Sequence, residues 1–338
     1  MQRILNKPSD YVDEMLEGIY LAHPELVTYV DKDKRCLVST RKKQGKVGIA
    51  TGGGSGHLPL FLGYVGQGLL DGCCVGGVFQ SPSAGQMLAV TKEIDQGAGV
   101  LYIYGNYGGD IMNFDMAKDL AEVEDIEVRQ VVAGEDVASS PKGRENKRRG
   151  VAGIYYVYKI AGAAAESMLP LAEVERLAKK ACDNVRTMGM ALTPCIIPEN
   201  GKANFQIEAG RMEIGMGIHG EPGIEESDLK SADEIVDIML PQILQDLPYK
   251  SGDEVSVLIN GLGATPKEEL YIAFRRVVQL LEKENIKVFH AYVGEFATSM
   301  DMAGMSISLL RLDDELRQYL SMPCYTPFFM QEQLGKRS

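Results

Sequence analysis

Two of the four histidines in the chain stand in glycine-rich stretches where an imidazole could meet a ligand. His219 lies among the four glycines and one proline of residues 215–223, and His57 ends the run at residues 51–57. Glycines let the backbone turn sharply and let a ligand approach the main chain. Because imidazole is an acid, a base or a nucleophile near neutral pH, both histidines are candidate catalytic residues. The first stretch could also be a glycine-rich turn with an incidental surface histidine.

The run at residues 51–57 follows residues 46–50, a short apolar segment typical of a buried strand. Ligands of open α/β sheets bind at such carboxyl ends. The run lacks the Gly-Lys-Ser/Thr ending of a phosphate loop and the glycine spacing of a dinucleotide fingerprint. The sequence therefore predicts a loop of free backbone N–H donors that ends in a potential acid or base, His57.

A second strand, at residues 99–104, runs into a glycine loop that delivers Asp110, and a helix is predicted over residues 111–122. Two strand–loop–helix units in succession indicate a parallel sheet whose loops open on the same edge. His57 and Asp110 are therefore expected to converge. Asp110 could instead merely cap the helix, because a carboxylate accepts hydrogen bonds from the first N–H groups.

From residue 191 the sequence indicates short strands with loops between them, so a domain boundary is expected near residues 185–190. The N-terminal domain would span residues 1–186 and carry His57 and Asp110, and the C-terminal domain, residues 187–338, would carry His219. The predicted fold class is α/β, with two α/β domains that each contain a mixed, largely parallel sheet flanked by helices. Further helices are predicted over residues 58–70, 84–96, 153–166 and 171–188.

The composition excludes several kinds of partner. There are 35 Lys plus Arg against 47 Asp plus Glu, a net charge of −12, whereas direct nucleic-acid binding needs a basic face. The six cysteines show no Cys-x-x-Cys spacing, which argues against a zinc site and for thiols in a reducing compartment. The start has no apolar core, and no run of about 18 apolar residues occurs. We expect a cytoplasmic protein that binds neither nucleic acid nor a membrane.

Six motifs together resemble the dihydroxyacetone kinase K-subunit family (DhaK, the substrate-binding subunit). In chain order they are GGGSGH at 52–57, NYGGD at 106–110, RRGVA at 148–152, GIHGEPG at 217–223, LGATP at 262–266 and TSMDMAG at 298–304. The similarity covers essentially the whole chain in the right order, so it is far more specific than any one glycine loop. It implies a homodimer of two-domain α/β subunits that binds a short-chain ketose covalently.

The resemblance also implies roles for individual residues. The distal ring nitrogen of His219 would attack the ketone carbon and form a hemiaminal, which glycerol cannot do because it has no carbonyl group. His57 would act in proton transfer, and Asp110 would bond the terminal hydroxyl that attacks phosphorus. The main chain that holds the sugar would be that of Gly54, Ser55 and Gly56.

The sequence contains no recognisable nucleotide or metal site, so the chain itself is expected to bind no cofactor. The resemblance implies that ADP or ATP with magnesium is bound by a partner L subunit. In many bacteria that subunit is recharged by a phosphoryl-donor protein of the phosphoenolpyruvate phosphotransferase system. The basic stretch at residues 142–149 could contact the L subunit, although such a run is usually a solvated loop.

Two positions depart from the family pattern. Gly105 stands where the family usually has a substrate-contacting lysine, and Leu58 stands where it has a glutamate. Losing the lysine opens room, so the substrate could be a larger ketose such as erythrulose. The chain could alternatively be a non-catalytic, DhaQ-like paralogue that binds dihydroxyacetone and acts as coactivator of a transcription factor. Retention of His57, Asp110 and His219 favours catalysis, because a sensor needs the capturing histidine but not the base.

Overall fold

The structure, a computed structural model, describes residues 3–335 and contains two six-stranded sheets with helices packed against them. In the first sheet the three pairs among β4, β3, β5 and β6 are parallel, and β1 and β2 are antiparallel additions at one edge. Its strands, in side-by-side order, are β1 (Val27–Val30), β2 (Asp33–Ser39), β4 (Gly72–Val78), β3 (Gly48–Ser55), β5 (Val100–Gly105) and β6 (Val128–Ala133).

The second sheet is mixed but mostly antiparallel. Its strands, in side-by-side order, are β11 (Lys287–Gly294), β10 (Glu254–Gly261), β12 (Gly304–Leu312), β7 (Val185–Ala191), β8 (Arg211–Ile214) and β9 (Glu225–Asp228). Only β10 and β11 form a parallel pair. The α/β class and the two mixed sheets are confirmed, but the expectation that this sheet is largely parallel was wrong. Loops without a crossover helix join β7 to β8 and β8 to β9, and parallel neighbours usually need such a crossover.

The helices of the described residues are α1 (Tyr11–Ala22), α2 (Ala84–Ile94), α3 (Gly108–Val123), α4 (Ile154–Glu166), α5 (Leu171–Asn184), α6 (Ala232–Asp246), α7 (Lys267–Lys283) and α8 (Asp314–Ser321). A small hairpin, β13 (Cys324–Tyr325) and β14 (Met330–Gln331), follows them. The helix predicted over residues 171–188 ends at Asn184, because the next residues form β7 between two other strands of the second sheet. Within residues 3–335, no helix combines the length and the hydropathy that crossing a bilayer requires.

The helix predicted over residues 58–70 does not form. Only Leu62–Tyr64 make a short 3-10 turn, and Gly66 and Gly68 have φ angles of 156° and 76°, which a right-handed helix excludes. A Cβ atom on Gly66 would lie 2.4 Å from the carbonyl oxygen of Tyr325. The glycines therefore let this segment pack directly on the backbone of the C-terminal hairpin, and that tertiary contact replaces the helix.

The two sheets share one hydrophobic core. Helix α4 is buried from Ile154 to Ala165 and packs against α5, α8, β3 and β5. The core around it contains side chains from both sheets, such as Ile49 of β3 and Leu258 of β10. Smaller cores lie between the second sheet and helices α6 and α7, and between the first sheet and helices α2 and α3.

The expected division into residues 1–186 and 187–338 would cut β7, which begins at Val185. The segment that follows β6 also pairs with this strand, since the backbone N–H of Thr187 donates to the carbonyl oxygen of Glu135 at 2.9 Å. We propose that the boundary between the two lobes lies just before Val185, so that each six-stranded sheet belongs to one lobe.

Candidate active site

The glycine run before His57 is a strand rather than the predicted loop. Gly52 and Gly53 pair with Cys74 and Val75 of β4. A Cβ atom on Gly53 would lie 2.3 Å from the Phe61 ring, so side chains are absent here because neighbouring groups fill the space. Strand β3 consequently extends to the edge of the candidate site.

The three residues expected to hold a sugar through their main chain have different surroundings. A Cβ atom on Gly54 would lie 2.7 Å from the backbone of Phe79, and Gly54 lines the cavity described below. The Ser55 hydroxyl donates to the carbonyl oxygen of Gly76 at 2.8 Å, within the sheet. Gly56 has a φ of 104°, a left-handed conformation that turns the chain into His57.

His57 is buried, with a relative exposure of 1%, and its ring stacks on Phe79 at 4.8 Å. Its Nδ1 lies 2.8 Å from the carbonyl oxygen of Thr298. Because a carbonyl oxygen only accepts, this nitrogen carries the hydrogen and Nε2 has a free lone pair. Burial, followed by the nearby charge of His219, lowers the pKa of His57 to about 3 against the opposing hydrogen bond to Thr298. His57 is therefore a neutral imidazole at physiological pH.

His219 lies in the loop between β8 and β9, and the two predicted histidines are in direct contact. The Nε2 atoms of His57 and His219 are 3.0 Å apart, with the rings edge to face. The rings of Phe79 and Tyr107 pack around His219 at 5.3 Å and 4.8 Å between ring centroids. One quarter of the His219 side chain remains exposed, so a small molecule can reach it.

Glu221 binds His219 on the side opposite His57. Its Oε1 lies 3.0 Å from Nδ1 of His219, and its Oε2 accepts the backbone N–H of the same residue at 2.9 Å. Burial alone would raise the pKa of Glu221, but the hydrogen bond and charge of His219, together with Arg149, lower it to about 2. The sequence reasoning gave Glu221 no role. The His-x-Glu spacing within a tight glycine turn was the signal that could have identified it.

Asp110 is the third residue of α3 and does not cap it, because the N-cap residue is Tyr107 and no side chain accepts the cap hydrogen bond. Asp110 is 6% exposed, and its Oδ1 has no hydrogen-bond partner among the described residues. Burial raises the pKa of Asp110 to about 6, against a hydrogen bond from Ser81 and the charge of His219. A buried carboxylate with a free oxygen and a pKa near neutrality is well suited to accept a proton.

Asp110 and His219 line one open cavity of about 550 Å³, together with Gly54 and Tyr107. The other wall comes from the segment between β7 and β8, including Lys202 and Asn204. His57 contacts this cavity's lining through His219. The structure thus brings the three predicted polar side chains to one place, where the carboxyl ends of β3 and β5 meet the β8–β9 loop. Among residues 3–335, no group of three or more His, Cys, Asp or Glu side chains has an arrangement that could hold a metal ion.

Gly105 and Leu58 lie beside the site without lining this cavity. A Cβ atom on Gly105 would lie 3.0 Å from the ring of Tyr107, so the ring fills the room that the missing side chain was expected to open. The Tyr107 hydroxyl donates to the carbonyl oxygen of Gly150 at 3.1 Å, which holds the ring in place. The carbonyl oxygen of Leu58 accepts from the Thr298 hydroxyl at 2.9 Å.

The basic stretch at residues 142–149 is partly internal. Arg148 is 1% exposed and makes a two-pronged ion pair with Asp246 of α6 at 2.7 and 2.8 Å. Arg149 forms an ion pair with Asp136 at 2.8 Å. Neither arginine is available to a partner protein, so any intermolecular role falls to the exposed members Lys142, Arg144 and Lys147.

Comparison of the sequence with known protein families identifies one family for this α/β chain with paired histidines. Residues 17–328 match the Dak1 domain, and the chain belongs to this family. The PTS-dependent dihydroxyacetone kinase 2, dihydroxyacetone-binding subunit DhaK, of Listeria innocua is 44% identical over 330 residues, which cover 97% of this chain and 99% of that protein. The L-erythrulose kinase of Pectobacterium atrosepticum is 40% identical over 97% of this chain and 56% of that protein.

Two solved structures have the same fold. The dihydroxyacetone kinase of C. freundii in complex with AMP-PNP and Mg²⁺ matches with a TM-score of 0.90 and 30% identity, over 100% of this chain and 62% of that chain. The dihydroxyacetone kinase operon co-activator Dha-DhaQ matches with a TM-score of 0.89 and 31% identity, over 97% of this chain and 100% of that chain.

Proposed function

We propose that this chain is the substrate-binding subunit of a dihydroxyacetone kinase and that it works as a homodimer. The observation that carries the proposal is the contact of His57 with His219, which lines a cavity together with the buried residue Asp110. The similarity to the DhaK subunit of Listeria innocua over nearly the full length of both chains supports the same role.

In this proposal His219 captures the ketose through Nε2, which adds to the ketone carbon and forms a hemiaminal. The covalent bond fixes the terminal hydroxyl near Asp110, which takes its proton as the hydroxyl oxygen attacks phosphorus. Because phosphoryl transfer depends mainly on alignment and charge stabilisation, covalent capture supplies much of what the reaction needs. Glycerol is excluded because it offers no carbonyl carbon.

The phosphoryl donor in this proposal belongs to a separate L subunit that carries ADP or ATP with magnesium. Its recharging by a protein of the phosphotransferase system would place the complex in the cytoplasm. The name of the Listeria innocua relative, a PTS-dependent dihydroxyacetone-binding subunit, supports this division of labour. The exposed cations Lys142, Arg144 and Lys147 are candidates for contact with the L subunit, and reversing their charges should then weaken its binding.

Two further functions are each favoured by one observation. The likeness to the L-erythrulose kinase of Pectobacterium atrosepticum, 40% identical over 97% of this chain, favours erythrulose as a substrate. The likeness to the co-activator Dha-DhaQ along the full length of that chain favours a non-catalytic subunit that binds dihydroxyacetone and acts on a transcription factor.

The test is to mix the purified chain with its L subunit and magnesium–ATP, or with the phosphotransferase donor proteins, and to measure phosphorylation of dihydroxyacetone, D-erythrulose and L-erythrulose. Turnover of any of these ketoses supports the kinase subunit and identifies its substrate. If the ketose is captured covalently but no donor phosphorylates it, the result would contradict the kinase subunit and favour the co-activator. Absence of both capture and turnover would contradict the kinase subunit and the co-activator alike.

A further inference from the structure

Both carboxylate oxygens of Glu221 contact a single residue, His219. One oxygen faces Nδ1 of the ring at 3.0 Å and the other accepts the backbone N–H at 2.9 Å. A Cβ atom on Gly217 would lie 2.1 Å from Oε2 of Glu221, so this glycine leaves the space that the carboxylate occupies. Resting on the function proposed above, we propose that Glu221 is a positioning residue that keeps a hydrogen on Nδ1 of His219 and acts as counter-ion to the positively charged ring, both before capture and in the ketose adduct.

The hydrogen bonds of the two histidines determine where their protons lie. The Nδ1 atoms of His57 and His219 face acceptors, the carbonyl oxygen of Thr298 and the carboxylate of Glu221, so each carries a hydrogen. The two Nε2 atoms are 3.0 Å apart, which requires one further hydrogen between them. The pair therefore holds one positive charge in this geometry, and because His57 is buried, that charge resides on His219 beside Glu221.

Capture can then proceed without exchanging a proton with solvent. The hydrogen between the rings moves to Nε2 of His57, which frees the lone pair on Nε2 of His219. That lone pair forms the bond to the ketone carbon while the carbonyl π bond breaks, and the hydrogen passes from His57 to the former carbonyl oxygen. His57 returns to its neutral form, and the alkylated ring of His219 keeps its Nδ1 hydrogen and its positive charge. The negative charge of Glu221 balances that positive charge before and after the step.

Arg149 holds Glu221 in this position. Its guanidinium lies 3.9 Å from Oε2 of Glu221, pairs with Asp136 at 2.8 Å and donates to the carbonyl oxygen of Gly215 at 2.9 Å. It thereby ties the carboxylate to the start of the loop that carries His219. Other titratable neighbours of this site are Tyr107, whose ring meets that of His219 edge to face, and Asp110 and Lys202, which line the same cavity. None of these three is hydrogen-bonded to Nδ1 of His219, so among the described residues Glu221 alone supplies the contacting negative charge there.

The test compares capture of dihydroxyacetone labelled with ¹³C at its ketone carbon by the full chain and by the variants Glu221→Gln and Glu221→Asp. Glutamine keeps the length and one oxygen acceptor but loses the charge, whereas aspartate keeps the charge and shortens the side chain. We expect Glu221→Gln to weaken capture at least about 10-fold, since an opposite charge in contact favours the charged form by about one pK unit or more. Glu221→Asp should capture more tightly than Glu221→Gln. A purely structural hydrogen-bonding role would give the reverse order.

Glu213→Gln is the matched control, because Glu213 accepts a backbone N–H of the same loop, that of Gly223 at 2.6 Å, but does not touch His219. It should leave capture within about twofold of the unsubstituted chain, as expected away from special sites. In ¹⁵N spectra, the adduct ring of the unsubstituted chain should carry a hydrogen on Nδ1, and that of Glu221→Gln should lose it.

Folded Glu221→Gln that captures the ketose with unchanged affinity and ring protonation would overturn the role of Glu221 and leave the proposed function intact. Equal losses in Glu221→Gln and Glu213→Gln would also overturn it, since the loop as a whole would then be responsible. If Glu221→Gln does not fold, Glu221→Asp whose adduct ring keeps its Nδ1 hydrogen supports the proposal, and Glu221→Asp whose adduct ring has lost that hydrogen contradicts it. Absence of any adduct in the unsubstituted chain would instead contradict the proposed function.

Discussion

The chemistry of the site depends on environments that make similar groups behave differently. His57 is held neutral by burial, and His219 sits between a neutral imidazole and the ionised carboxylate of Glu221. Asp110 has no ion-pair partner within residues 3–335, and burial raises its pKa. In the proposed mechanism these three environments separate the roles of proton carrier, nucleophile and base.

Asp110→Asn should retain ketose capture and lose turnover by about 10²- to 10⁴-fold, the usual contribution of a general base. The reason is that the amide keeps the size of the side chain but cannot accept the hydroxyl proton. Turnover with the L subunit and adduct formation are measured on the same samples. Turnover at the original rate would remove Asp110 from the proposed mechanism.

The pH dependence of turnover provides a second check on Asp110. Burial raises the pKa of this carboxyl group to about 6, so the basic form predominates above that pH. Turnover should therefore rise with pH and level off above about 6, and it should be lost as the pH falls below that value. The same acidic limb appearing in Asp110→Asn would assign the titration to another group.

At the scale of residues, the sequence predicted that His57, Asp110 and His219 would be site residues, because polar side chains just past buried strands in glycine-rich segments are unusual. It could not predict the partner of His57, since that partner is the backbone oxygen of Thr298, 241 residues away, and every residue has such an oxygen. The role of Glu221 was missed for a different reason. The His-x-Glu spacing was visible in the sequence, but the contact with His219 depends on a loop conformation that Gly217 permits, and the residue types alone do not specify that conformation.

Among the elements, strand β3 is the one that brings the site together. Its last residues carry no bulky side chains, so the turn containing Phe79 can lie against Gly54, and Phe79 in turn stacks on His57. The sequence predicted a loop of free backbone N–H donors here, because glycine has low strand propensity. Pairing with β4 and close packing override that propensity, and neither is visible in the local sequence.

Gly54→Ala should disturb both stability and capture. The added Cβ atom would meet the Phe79 backbone at 2.7 Å, and such overpacking typically costs about 1–3 kcal/mol of unfolding free energy. The displaced Phe79 would also move the His57 ring on which it stacks. Chemical denaturation and adduct formation measure the two effects.

Gly85→Ala is the control for this substitution. Gly85 lies in the first turn of α2 with no atom within 4 Å of an added Cβ atom. Alanine should leave capture unchanged and stabilise the helix by about 0.5–1 kcal/mol. Equal behaviour of Gly54→Ala and Gly85→Ala would contradict the packing role given to Gly54.

At the scale of the whole molecule, two carboxyl groups are buried where the two sheets meet. Glu135 and Asp136 follow β6, and both are almost fully buried next to β7. Burial raises the pKa of Glu135 to about 7, against a hydrogen bond from the backbone of Val151, and the second carboxylate oxygen has no hydrogen-bond partner among the described residues. Folding therefore favours the protonated form of this group.

This burial predicts a dependence of stability on pH. Between about pH 4.5 and 7 the folded state binds more protons at Glu135 than the unfolded state, so its contribution to unfolding free energy falls as pH rises. The full loss above pH 7 is roughly 2–4 kcal/mol, from a shift of about two to three pK units. Glu135→Gln should remove this part of the slope when denaturation is measured at pH 5 and pH 8. An unchanged slope would contradict the assignment.

At the scale of the chain, the sequence correctly predicted an α/β fold with two mixed sheets. It did not predict the antiparallel character of the second sheet, because strand direction there depends on pairing between segments far apart in sequence, such as β10 and β12. The irregular path of residues 58–70 was missed for the same reason, since its packing partner is the C-terminal hairpin. Both errors concern long-range contacts rather than local propensity.

The measurement that tests the central claim most directly is the ¹³C spectrum of dihydroxyacetone labelled at its ketone carbon, bound to this chain and to His219→Ala. The account predicts that in the unsubstituted chain the ketone signal is replaced by that of a tetrahedral carbon bonded to nitrogen. His219→Ala should show no such signal, and Asp110→Asn should retain it. A bound ketose whose carbonyl signal stays unchanged, or a tetrahedral signal that persists in His219→Ala, would contradict covalent capture by His219.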